Sequence, residues 1–243
     1  MARARQSAAP KLVLWDIDQT LIEVGVVTHR AYATAFQRVT GLPLTTPWQF
    51  DGRTELAAIT QVLHDHNIDA IPATVDLFVT RLVQELYERR DELRRDGRVL
   101  PGATAALRAC ATSPWVHQSV LTGNLYRLAV LKTDLFGLAE HLDLRIGAYG
   151  GDAVDRRDLV RYAQQRAREH LGTRFTGKDT VVIGDTLLDI ATAQLANARA
   201  VAVATGPYDA GQLRAAGADA VLADLTDTPA VMRAIFGDAC SSW

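Results

Sequence analysis

Only two cysteines, Cys110 and Cys240, occur in the 243 residues. They form neither a disulfide framework nor a metal-ligand spacing, which fits a reducing cytoplasm. Charge of one sign is also lacking. Against 28 Asp and Glu stand 26 Lys and Arg, a net charge of -2, so the chain has no basic field with which to hold a nucleic-acid backbone. No stretch approaches the ~18 apolar residues of a membrane span, and Met1 to Pro10 contains no apolar run of the signal-peptide kind. The expectation is no secretion, no membrane anchor and no nucleic-acid partner. With 17 Gly, 8 Pro and 48% hydrophobic residues, disorder, collagen and coiled coil are excluded for the chain as a whole. A chain of this length buries roughly 70–75% of its unfolded surface, enough for one large domain or a domain carrying an insertion.

What is present is a recurrence. Short runs rich in Val, Ile and Leu appear at Leu12–Trp15, Gln118–Leu121, Leu144–Ala148, Thr180–Ile183, Ala200–Ala204 and Ala220–Leu222. Helix-like segments with apolar residues three or four apart follow at Tyr126–Phe136, Asp158–Leu171, Leu187–Ala196, Asp209–Ala216 and Pro229–Phe236. Strand alternating with helix predicts a doubly wound parallel α/β sheet. Between Val24 and Arg98 the alternation fails, and Thr28–Val39, Thr54–His64 and Val75–Leu93 read as three helices with no strand among them. The expectation is a core of residues 1–23 and 99–243 interrupted by a helical domain of residues 24–98. Pro101-Gly102 marks the return, with a helix from Ala103 to Ala111.

In open parallel sheets, ligands collect beyond the carboxyl ends of the strands. There the chain places Asp16-Ile17-Asp18-Gln19-Thr20 after the first strand, Thr122-Gly123-Asn124 after the second, and Gly184-Asp185-Thr186-Leu187-Leu188-Asp189 after the fourth. Four carboxylates at one edge repel one another unless a hard divalent cation neutralises them, and Mg²⁺ is the natural candidate. A carboxylate can attack phosphorus, and a second carboxyl two residues along can protonate the leaving oxygen and then activate water. One Asp-x-Asp alone is more often a cap or a loop ornament than a catalytic pair; the three segments in this order carry the reading. The bland alternatives are specific too. Asp189 suits the first turn of a helix, Thr20 suits a turn cap, and the His64-Asp65-His66 run suits a solvated helix end rather than a metal site.

These three segments resemble the motifs of the haloacid dehalogenase superfamily, in particular its magnesium-dependent phosphatases of the phosphoglycolate phosphatase type. The resemblance spans nearly the whole chain, with Gly52-Arg53-Thr54 and the insertion similar to the family's small helical cap. It implies Asp16 as nucleophile and metal ligand. Asp18 is implied as general acid and base with its backbone carbonyl on the metal, and Asp185 as a further ligand. Asp189 would hold a metal-bound water or orient the basic residue. Thr122 Oγ1 and the Gly123 and Asn124 amides would bind phosphoryl oxygens, with Arg53 a candidate for contact with substrate. The partner implied is a small phosphorylated metabolite, handled by a monomer or weak homodimer. Phosphomutase, 2-haloacid dehalogenase and a non-catalytic phosphoacceptor domain are the alternatives.

Two positions depart from the family pattern. Gln19 stands where Gly is usual, and the stretch Asp152–Asp158, where a lysine is usual, has none. Of the three lysines, Lys11 and Lys178 precede their strands, at the wrong end of the sheet. Lys132 falls well inside the helix after Thr122, which should carry it roughly 10 Å or more away from the site and point it down the core's flank. The expectation is therefore that Arg156 supplies the missing charge, with Arg157 as the fallback.

Overall fold

The structure, a computed structural model, describes residues 9–46 and 52–237; Trp48, Phe50, Asp51 and Cys240 lie outside them. Its centre is a parallel five-stranded sheet of β1 (Lys11–Trp15), β4 (Val116–Val120), β5 (Thr180–Gly184), β6 (Arg199–Val203) and β7 (Ala220–Leu222), in the order β4-β1-β5-β6-β7. Successive strand residues face opposite ways. Val13, Trp15, Val181, Ile183, Val201 and Val203 join one apolar cluster, and Leu12, Leu14, Val182, Ala200 and Ala202 join the other.

Helices α5 (Ala103–Thr112), α6 (Tyr126–Leu135) and α10 (Thr228–Phe236) cover the first face; α7 (Leu159–Leu171), α8 (Leu187–Leu195) and α9 (Ala210–Ala215) cover the second. The sheet is thus doubly wound, with β1 at the point where the strand order reverses. No helix among the described residues is long and apolar enough to cross a membrane.

The helical insertion leaves and returns through a two-stranded antiparallel ribbon, β2 (Ile22–Glu23) against β3 (Arg98–Val99). Its helices are α1 (Val26–Thr40), α2 (Glu55–Asp65), α3 (Pro72–Glu88) and α4 (Arg90–Asp96). The single helix expected over Val75–Leu93 is in fact two. It breaks at Arg89, whose guanidinium turns back onto the Glu85 carbonyl and the buried Glu85 carboxylate.

The strand expected at Leu144–Ala148 also needs correcting. Side chains take the backbone groups that a sheet ladder would use. The Tyr149 hydroxyl donates to the Leu144 carbonyl at 2.5 Å, Asp143 accepts from the Arg145 N–H, and Arg166 donates to the Gly147 carbonyl at 2.7 Å. Residues Leu144–Ile146 form one 3₁₀ turn instead, and only Ala148 pairs with the sheet, as a single bridge to Leu121.

Candidate active site

The first acidic segment is delivered by the β1 ladder. Asp16 N–H bonds the Ile183 carbonyl at 2.8 Å, extending the β1–β5 pairing one residue beyond the strand. Gln19 adopts φ 60°, the left-handed value that a Gly would take without strain, at a cost of about 1 kcal/mol. The turn survives because Gln19 N–H bonds the Ile22 carbonyl and Thr205 Oγ1 donates to the Gln19 carbonyl at 2.5 Å.

β5 ends at Gly184, and Thr20 Oγ1 donates to Oδ1 of the next residue, Asp185, at 2.9 Å across the two segments. One oxygen each of Asp16, Asp185 and Asp189 lie within 4.8 Å of one another, all three side chains buried. Among the described residues this is the one group of three or more metal-ligating side chains so placed. The two histidines flanking Asp65 form no such group; His66 Nε2 accepts from the Thr45 N–H.

Burial raises both leading carboxyls. Asp16 is pushed up to about 6, with Arg156 opposing and the Asp189 and Asp18 charges adding; Asp185 is pushed up to about 8, with Asp16 and Asp189 adding. A pH dependence follows. In the folded chain these two carboxyls keep protons that the unfolded chain releases at about 4, so their contribution to stability is full at low pH and is lost as pH rises through about 6 for Asp16 and about 8 for Asp185. A divalent cation held by these carboxylates would take only their ionised form. We expect the rise in melting temperature on adding Mg²⁺ to grow steadily from about pH 5 to about pH 8, as thermal melts with and without the ion would show. A Mg²⁺ effect that shrank with pH would contradict this charge assignment.

Arg156 lies in the turn after Asp155, 2% exposed. Its Nη2 is 3.0 Å from Asp16 Oδ2, 2.6 Å from Asp189 Oδ1 and 3.3 Å from the Leu121 carbonyl. Arg157 is half exposed and pairs with its neighbour Asp155. Asp189 serves two ends at once. Its Oδ2 accepts from Thr186 Oγ1 and N–H, closing a capping box at the start of α8, while Oδ1 holds Arg156.

Lys132 is where the sequence reading needs correction. Its ammonium bonds Asp18 Oδ1 at 2.8 Å, Asp18 Oδ2 at 2.7 Å and Asn124 Oδ1 at 2.6 Å. Counting rise per residue located the backbone but ignored the side chain. Helical side chains tilt toward the N-terminus, so the four-carbon stem of Lys132 carries its charge back along α6 to Asn124. A signal was present, since Lys132 shares the apolar face of Leu125, Leu128 and Ala129, where a lysine has no reason to sit unless it is paired.

Asn124 ties these groups together, its Nδ2 donating to Asp18 Oδ2 at 2.7 Å and Thr122 Oγ1 at 2.8 Å. Two further residues were not singled out from the sequence. Glu55, the first residue of α2, is buried; burial pushes it up to about 7, with the Lys132 charge opposing. Tyr32 on α1 donates its hydroxyl to Glu55 Oε1, and burial followed by the Glu55 charge raises it well above the usual phenol value.

A cavity of about 630 Å³ opens over this edge. Asp16, Asp18 and Asn124 line it from the core, and Val26, His29 and Arg53 from the insertion. Core and insertion meet backbone to backbone: a Cβ on Gly123 would stand 2.1 Å from the Arg53 carbonyl oxygen, so no larger residue fits there.

Buried carboxylates and a guanidinium at the carboxyl ends of β1, β4 and β5, beneath a helical insertion, define an α/β enzyme with a cation-accepting acidic site. A profile of the haloacid dehalogenase-like hydrolases matches residues 13–194, and the chain belongs to that family. The fold is similar to that of a predicted phosphatase from Clostridium acetobutylicum. That likeness has a TM-score of 0.69 at 19% identity and covers 93% of this chain and 100% of the other. CbbY from Rhodobacter sphaeroides, solved with phosphate, has a TM-score of 0.68 at 17% identity, covering 90% of this chain and 96% of its own. A predicted phosphoglycolate phosphatase from Haemophilus somnus 129pt has a TM-score of 0.61 at 17% identity, covering 92% and 98%. No curated protein sequence matches the chain.

Proposed function

We propose that this hydrolase is a Mg²⁺-dependent phosphatase that cleaves a small phosphate monoester through an aspartyl-phosphate on Asp16. The observation that carries the reading is the contact between Asp16 Oδ2 and the buried Arg156 guanidinium at 3.0 Å, inside a cluster of carboxylates facing a cavity. A nucleophilic carboxylate must meet a phosphate dianion, and a fixed cation between them offsets their repulsion.

The donor set fits the metal. Two fixed cations, Arg156 and Lys132, stand against four carboxylates, so a further positive charge is needed, and every available donor is a hard oxygen. Asp16, Asp185 and the Asp18 carbonyl would hold Mg²⁺, with Asp189 beside them orienting Arg156. When bound, Mg²⁺ supplies Lewis-acid polarisation of the phosphoryl group.

The protein's own groups do the rest. An Asp16 oxygen attacks phosphorus, the bond from phosphorus to the ester oxygen breaks, and the departing oxygen takes a proton from Asp18. Water then attacks the acyl-phosphate and gives its proton to Asp18. The bond from phosphorus to Asp16 breaks, and inorganic phosphate leaves. Lys132 and Asn124 fix the Asp18 side chain, while Thr122 Oγ1 and the Gly123 and Asn124 amides receive phosphoryl oxygens. The helical insertion acts as a cap that excludes water and selects substrate, as enzyme lids do.

The test is a panel of phosphorylated metabolites with phosphate release as readout. Release is expected with Mg²⁺, lost in EDTA and recovered on adding Mg²⁺ back. Full activity in chelator would overturn the metal assignment. Halide release from 2-haloacids would overturn the phosphatase reading in favour of dehalogenation, and sugar-phosphate interconversion without phosphate release in favour of a mutase.

A further inference from the structure

Glu55 has no part in the chemistry above, yet it is buried where the insertion meets the loop Thr122–Leu125. An acidic residue in a first helical turn ordinarily complements its own helix dipole. Here the carboxylate looks outward from α2. Its Oε2 accepts the Leu125 N–H of the core at 2.5 Å, and its Oε1 accepts the Tyr32 hydroxyl of α1.

The backbone of the same residue makes the opposite bond, Glu55 N–H donating to the Gly123 carbonyl at 2.9 Å. One residue of the insertion therefore holds the peptide units on both sides of Asn124. The core adds Gly150 N–H on the Asn124 carbonyl at 2.8 Å, and next to Glu55, Thr54 Oγ1 donates to the Val154 carbonyl at 2.6 Å.

We infer that Glu55 is a positioning residue that couples seating of the helical insertion to the geometry of the phosphoryl-binding loop. With the insertion seated, both bonds fix the peptide unit that carries the Asn124 N–H and the one that follows it. With it lifted, both are lost together, so phosphate binding and closure favour each other. The inference rests on the phosphatase reading for the role of this loop. The bonds themselves do not depend on that reading.

Glu55→Ala in the full-length chain removes the carboxylate and keeps the backbone N–H; Glu55→Gln keeps an oxygen for Leu125. Three readouts apply: Mg²⁺-dependent binding of inorganic phosphate by calorimetry, hydrogen exchange of the amides around residues 123–125, and KM against kcat on any ester that the panel identifies. For Glu55→Ala we expect phosphate affinity to fall and KM to rise together by about tenfold, within the usual span of such couplings. Its kcat should stay within about threefold of wild type, as for lost binding rather than lost chemistry. Exchange at 123–125 should quicken while β1 and β5 stay protected, and Glu55→Gln should recover most of the loss.

Unchanged phosphate affinity and unchanged exchange in Glu55→Ala would overturn the inference. If Glu55→Ala does not fold, Glu55→Gln and Tyr32→Phe decide it. Both should quicken loop exchange mildly, and neither doing so would overturn it. A wild-type chain that neither binds phosphate nor hydrolyses any ester would defeat the phosphatase reading alone, since loop exchange still reports on the clamp.

Discussion

Asp16→Asn is expected to lower phosphate release by about four to six orders of magnitude, the scale on which removal of an enzyme nucleophile acts. The amide oxygen cannot form the acyl-phosphate, so acid-quenched mass spectrometry should find no covalent adduct. The variant should nevertheless fold. In the metal-free chain the Asp16 carboxyl is raised by burial and by the Asp189 and Asp18 charges, with only Arg156 opposing strongly. Removing that charge removes its burial cost together with the repulsion from Asp189 and Asp18, which offsets the lost attraction to Arg156, and the metal-free variant should melt no lower than wild type near neutral pH. Asp18→Asn makes the contrast. It keeps the backbone carbonyl and the nucleophile but loses the proton carrier, so turnover should collapse on alkyl phosphates while metal binding persists. Wild-type hydrolysis of alkyl phosphates by Asp18→Asn would remove the acid–base role from Asp18.

The second large effect belongs to Arg156. Its guanidinium bridges Asp16 and Asp189 at 3.0 and 2.6 Å with almost no exposure, so Arg156→Ala strips two buried carboxylates of their counter-charge at once. Activity should fall by about 10²–10³, as when a fixed electrostatic group is lost from a reaction site. Because breaking a buried pair costs about 3–5 kcal/mol, a melt must accompany the assay. Arg156→Lys, which keeps the charge and loses the second branch, separates chemistry from folding. Arg157→Ala should stay within about twofold, since an exposed pair between sequence neighbours contributes little. The opposite ranking of Arg156→Ala and Arg157→Ala would move the role to Arg157.

Much of this molecule was legible in one dimension. Where an element is specified by local periodicity and its own caps, sequence and structure agree closely. The apolar run before Asp16 is a strand, the Thr186 and Asp189 pair caps α8, and the helices after Thr122 and Asp158 begin within a residue of where they were expected. The convergence of Asp16, Thr122 and Asp185 also follows from the linear pattern, because parallel strands present their carboxyl ends on one edge.

What the linear pattern missed was decided by side chains reaching between elements. At Leu144–Ala148 the apolar run was right for a strand, but Tyr149, Asp143 and Arg166 claimed its polar backbone groups and left a turn. Lys132 looked remote because position along a helix is set by rise, whereas the position of its charge is set by a long stem lying back toward the N-terminus. Glu55 was not singled out because a first-turn acid is commonplace, and only the packing of the insertion on the core gave its carboxylate the Leu125 N–H and the Tyr32 hydroxyl as partners. The sequence by itself determined the five strands of the sheet, its winding and the three segments at its carboxyl edge, because those rest on local hydrogen bonding and periodic burial. Tertiary structure alone decided which charges pair, because a buried charge is placed by whatever opposite charge lies within reach in space, at any distance along the chain.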